Sequence, residues 1–163
     1  MGGEGSPEGA MDEVLTVPAG HYTPVNDHLI PTGELRDVTG TVFDFRKGRR
    51  FNDGIRDGND EQIIKGHGYD HNFALDKGLT KTPELAAKLE DPASGRVLEV
   101  LTTEPGVQVY TGNFLDGTYL GKHGHLYRMG TASRLSRRSS PILPTIPTSS
   151  RPASIPASPI GMS

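Results

Sequence analysis

The stretch R-V-L-E-V-L-T-T-E-P-G-V-Q-V-Y-T-G-N-F-L-D-G, residues 96–117, decides how the rest of the chain is read. Val97, Glu99 and Leu101 fall on one face and Leu98, Val100 and Thr102 on the other, a period of two in a β-branched run that predicts a strand. Pro105-Gly106 interrupts it with a turn, and Val107-Gln108-Val109-Tyr110 resumes the alternation. Gln108 puts an amide where a plain core strand would carry an apolar residue, so it needs a hydrogen-bond partner.

Two other stretches are equally distinctive: G-Y-D-H-N-F at 68–73 and P-V-N-D-H-L-I-P-T-G-E at 24–34. Together with G-V-Q-V-Y-T-G-N at 106–113, they resemble the C-terminal part of the aldose 1-epimerase (galactose mutarotase) family, over roughly residues 14–127. The resemblance implies an all-β fold, the galactose mutarotase-like super-sandwich, present in part because about half of that family's chain has no counterpart before this region. Strands that would pair with the missing half are then expected to leave open edges.

Composition narrows the function classes. With 33% hydrophobic residues, no Trp, 21 Gly and 13 Pro in 163 residues, the supply for a large independent core is thin. The absence of Cys removes disulfides, thiolate metal sites and cysteine nucleophiles, and fits a cytoplasmic location. Residues 1–10 show no basic and apolar signal pattern, and no window is long and apolar enough to span a bilayer. The resemblance implies a small-molecule aldose such as galactose or glucose as partner, and no nucleic acid and no membrane partner is expected.

Three segments are expected: a flexible lead over 1–12, the epimerase-like part over 13–128, and a disordered Ser/Pro/Arg-rich tail over 129–163. The net charge of −3 is unevenly spread, because Arg134, Arg137, Arg138 and Arg151 face no acidic residue beyond Asp116. Within the middle part, Val14 to Val17 reads as a short strand and 22–38 as an irregular connection serving structure. Thr41-Val42-Phe43-Asp44-Phe45 alternates as a strand with an aromatic inner face. The Gly- and Asp-rich segment 47–65 reads as a loop. Helix propensity competes with strand over 83–89; the turn Asp91-Pro92-Ala93-Ser94-Gly95 offers a hairpin partner and favours strand.

Gly68 to Phe73 holds the densest polar cluster. His67, Asp70 and His71 are residue types that bind divalent cations, yet a third strong ligand at metal spacing is wanting, so no metal is expected, and the reaction that the resemblance implies needs no cofactor. Hydrogen-bonded polar residues at a strand start are the plain alternative. The resemblance implies that Asp70 accepts hydrogen bonds from sugar hydroxyls and that Gln108 contacts the same sugar, with His71 and Asn72 bracing the loop. A carboxylate accepts from two adjacent hydroxyls, and an amide both donates and accepts. For Gln108, an amide satisfied by backbone stays open beside this.

The reaction implied is interconversion of the α and β anomers of a hexose. A base takes the C1 hydroxyl proton, an acid protonates the ring oxygen, and the opened ring recloses on its other face. The family's acid, a histidine N-terminal of this region, has no counterpart here; His21, His28, His123 and His125 lie outside its motif. Its base, a glutamate in an L-E-T-Q strand, should follow Tyr127 and does not. No catalytic residue is therefore assigned, and the chain is expected to be inactive alone. A non-catalytic carbohydrate-binding or partner-binding fragment is the alternative. Codons for L-E-T-Q-F-P-D-S-P-N-H-P-N-F read one base late permit S-R-R-S-S-P-I-L-P-T-I-P-T-S, which is residues 136–149, so a frameshifted tail is expected.

Overall fold

The computed structural model describes residues 10–121 and 124–139. Its eleven strands lie in three antiparallel sheets. Four strands form one sheet in the order β4-β1-β6-β7, where β1 is Val14–Thr16, β4 Arg49–Arg50, β6 Glu84–Asp91 and β7 Arg96–Thr102. Five form the second in the order β11-β8-β5-β2-β3, with β2 His21–Thr23, β3 Arg36–Asp37, β5 Asp70–Ala74, β8 Gly106–Tyr110 and β11 Arg134–Arg138. A ribbon of β9 (Asp116–Leu120) and β10 (Leu126–Arg128) stands apart.

Both large sheets contribute to one core. Leu15, Ala87 and Leu89 come from the first, and Tyr22, Phe73, Val107 and Val109 from the second. Between them sits an aromatic cluster in which Tyr22 stacks on Phe43 with ring centroids 4.1 Å apart, and Phe45 meets Tyr69 and Phe73 edge-on. Such pairs add to the burial of large apolar area, which compensates for a short supply of aliphatic residues.

The strand expected over 41–45 is a correction. Phe43 and Phe45 are fully buried, as the alternation implied, but the N–H groups of Thr41, Phe43, Asp44 and Phe45 bond locally and no ladder forms; the one main-chain bond toward β1 is Val17 N–H to Phe45 O. Thr41 N–H donates to Val38 O, Phe43 N–H to the Thr41 hydroxyl, and Gly48 N–H to Phe45 O, while Arg46 closes on Asp44 at 2.7 Å. A threonine hydroxyl and an Asp–Arg clasp give these amides turn partners.

The segment 47–65 is not all loop. Helix α1 spans Glu61–Gly66, started by Asp60, whose side chain accepts from Gln62 and Ile63 N–H, and stopped by His67 at φ 52. Over 83–89 the chain is strand, since β6 is paired on both sides, to β1 and to β7, and the second ladder outweighs propensity. Among the described residues strand β7 has no further neighbour, and Val97, Leu98 and Leu101 are exposed along it.

The ends also depart from expectation. Ala10 N–H donates to Gly130 O and Asn52 N–H to Met11 O, so 10–12 are tied down; residues 1–9 lie outside the described residues. Within the tail expected to be disordered from 129, β11 pairs along its whole length with β8, and Leu135 packs against the core. Main-chain bonds to an available sheet edge, plus one apolar anchor, order a sequence whose composition suggests a solvated coil. Residues 140–163 lie outside the described residues.

Candidate functional site

The face of the five-stranded sheet opposite the core carries a cavity of about 330 Å³, within the range of small-molecule sites. Register explains its lining. Asn72 stands opposite Gln108, Gln108 opposite Ser136, and Thr23 opposite Asn72, so these side chains share one face. Two residues along β5, Asp70 joins them, while His71 and Phe73 between and beyond point into the core.

Asp70 is aimed by the turn before it. His67 and Gly68 take positive φ, 52° and 132°, and the turn is locked from across the sheet. Asn113 Nδ2 donates to Gly66 O at 2.7 Å and to Tyr69 O at 3.0 Å, while the Thr111 hydroxyl donates to Asn113 Oδ1. Tyr69 is pinned in the core by its hydroxyl, which donates to Val42 O. A Cβ on Gly68 would lie 2.6 Å from Asn113 Oδ1, so the glycine is required both for conformation and for space.

The two residues expected to hold sugar are brought into direct contact: Gln108 Nε2 donates to Asp70 Oδ1 at 2.7 Å. This is the partner the Gln108 amide needed, a side chain and not backbone. Burial pushes the Asp70 carboxyl up, against the Gln108 hydrogen bond and the Arg138 charge, which pull it down. The carboxylate keeps a second oxygen, and the amide a carbonyl and a second N–H, for hydroxyls of a ligand.

His71 is a brace, as expected. Its Nε2 lies 3.2 Å from Gln62 Oε1, which also accepts from Val25 N–H, while Gln62 Nε2 donates to Val25 O. The imidazole thereby fixes the loop over the cavity. Burial, then the Arg36 charge, pushes its pKa down to about 3, so it is neutral. Asn72 departs from expectation: by alternation it lines the cavity and does not brace behind it. His71 turns inward while Asp70 turns outward, so the cluster at 67–71 does not converge on a cation.

Sequence reasoning missed most of the wall. The segment 24–31, read as structure alone, contributes Val25, His28, Leu29, Ile30 and Pro31. Its tip is held by Asn26, whose Oδ1 accepts from His28 and Ile30 N–H. An Asx turn of this kind was legible in the Pro-Val-Asn-Asp pattern, but which way the tip folds was not. Arg138 closes the remaining side, from a strand the composition hid.

The aldose 1-epimerase family profile matches residues 2–142. The chain belongs to the aldose 1-epimerase family. Galactose mutarotase of Homo sapiens is 48% identical over 127 residues, 78% of this chain and 34% of that one. Aldose 1-epimerase of Escherichia coli is 36% identical over 116 residues, 71% of this chain and 32% of that one. Among solved structures, an aldose epimerase homologue from C. elegans superposes with a TM-score of 0.65 at 25% identity, covering 85% of this chain and 41% of that one. Galactose 1-epimerase from Lactobacillus acidophilus does so at 0.60 and 29%, covering 80% and 37%. The chain thus spans about a third of the length of the curated epimerase relatives it matches.

Proposed function

We propose that this chain carries the aldose-holding face of an aldose 1-epimerase, an isomerase that interconverts hexose anomers, with Asp70 and Gln108 as the substrate-binding residues. The observation that carries the reading is the Gln108–Asp70 hydrogen bond inside a cavity of about 330 Å³. A hexose offers adjacent hydroxyls, each donor and acceptor, and a carboxylate bonded to an amide presents both functions at hydroxyl spacing. Gln108 orients the carboxylate, and Asp70 accepts from the sugar.

Proton transfer at C1 and at the ring oxygen needs a base and an acid within reach. Where the family resemblance expects L-E-T-Q, β11 presents Ser136 opposite Gln108, and 134–138 contain no carboxylate. Among the described residues, Asp70 is the one acidic side chain on the cavity wall. This supports holding without turnover by the chain alone, and the cavity favours the sugar-binding reading over one in which the fragment binds a protein partner.

Two measurements on the same sample test it. Saturation-transfer NMR with galactose and glucose should show binding that Asp70→Asn abolishes. Polarimetry of fresh α-galactose should show no acceleration over buffer, because each missing proton-transfer group is worth about 10²–10⁴-fold. An absence of sugar binding overturns the holding role; acceleration that Asp70→Asn removes shows that the chain supplies its own acid and base.

A further inference from the structure

Arg138 is the one arginine or lysine among the described residues that line the cavity. It lies on the cavity face of β11, opposite Gly106, whose bare α-carbon makes room for it: a Cβ there would come within 3.3 Å of Arg138 Cβ and 2.8 Å of Asn72 Oδ1. Its Nε is closed off by the protein and has no hydrogen-bond acceptor, and no ion pair to the guanidinium is formed among the described residues. The charge is felt by Asp70 across the cavity, while Arg134 on the same strand adds to the positive field. A half-buried guanidinium whose Nε–H lacks an acceptor is a costly arrangement, and an anion at its terminal nitrogens offsets part of the desolvation of the charge.

We propose that Arg138 sets the specificity of this cavity for an aldose bearing a carboxylate, a hexuronic acid, over the neutral hexose. The inference rests on Asp70 and Gln108 holding the sugar ring. The planar fork of two terminal guanidinium nitrogens matches the two oxygens of a carboxylate, which a lone ammonium would not. With Asp70 already facing Arg138 in the cavity, each added negative charge is opposed, so a monoanion is favoured over a dianion. A phosphate ester brings close to two negative charges at neutral pH, and Asp70 in the same cavity would oppose the second.

Titration calorimetry at low ionic strength compares D-galacturonate, D-galactose and D-galactose 6-phosphate on the whole chain. Galacturonate is expected to bind at least about tenfold more tightly than galactose, the discrimination of one charge-assisted hydrogen-bonded pair. Arg138→Gln should bring that ratio to about one, and Arg138→Lys should retain part of it. Added salt should compress it. Equal binding of the two sugars, or a ratio unchanged in Arg138→Gln, overturns the role of Arg138 while leaving the holding role intact. Tighter binding of the 6-phosphate than of galacturonate overturns the choice of carboxylate. If no sugar binds, both proposals fall.

Discussion

Lowering the pH from 7 to 5 is expected to destabilise this chain chiefly through His71. The imidazole is fully buried, edge-on to Phe43 at 4.7 Å and bonded to Gln62, and its pKa lies near 3 against an ordinary 6.5. The folded form therefore stays neutral while the unfolded chain takes up a proton below pH 6.5. Stability is full above that value and is lost progressively down to about pH 3. At pH 5 the unfolded state has gained 1.5 pH units of proton binding, about 2 kcal/mol at 1.36 kcal/mol per unit. His71→Leu removes the titration. It costs about 1 kcal/mol at pH 7 for the lost neutral hydrogen bond, but should lose about 2 kcal/mol less than the parent between pH 7 and 5. Asp70, whose carboxyl is pushed up by burial, acts on both proteins alike. Urea denaturation of the pair at the two pH values reads the difference. Equal losses in both would refute the account of His71 as a buried neutral brace.

Asn113→Ala strips donors from Gly66 O and Tyr69 O and should cost about 2–3 kcal/mol, read by urea denaturation, with weakened sugar binding because Asp70 loses its aim. Gly106→Ala forces Asn72 to move from a 2.8 Å approach and should lower sugar affinity several-fold in calorimetry with a smaller effect on stability. Gln108→Ala removes the hydrogen bond that favours the charged carboxylate, so the Asp70 pKa, followed by carboxyl carbon NMR, should rise further above its ordinary value. Sequencing the DNA across residues 136–149 should show L-E-T-Q in the frame one base earlier; any other reading there ends the frameshift proposal.

β6 and β7 were legible because they partner each other around Asp91 to Gly95, and β8 by its alternation after Pro105-Gly106, although its partners β5 and β11 are distant in sequence. Alternation alone misled at Thr41 to Phe45, because period two marks which side chains go inside and says nothing of where the amides find acceptors. Helix α1 was hidden because six residues are too few to show a period of 3.6; its Asp60 cap was the usable signal. Asp70 and Gln108 emerged from family resemblance, but their mutual hydrogen bond depends on a register across 38 residues that no local pattern encodes. The same holds for Asn72 and Arg138, whose places on the cavity wall follow from sheet order, while His28 is placed by the turn at Asn26.

Strand β11 is held to β8 mainly by a ladder of amides, with Leu135 as its inward anchor. Amides are common to all residues but proline, so the sheet recognises this strand almost without regard to its side chains. The opposite face is then free to vary. Ser136 and Arg138 stand on the sheet face that carries the cavity, and exchanging them alters chemistry while leaving the amide ladder nearly untouched. In this fold the strand beside Gln108 behaves as an interchangeable panel, one on which a proton acceptor, a charge or a mere hydroxyl can be mounted in turn.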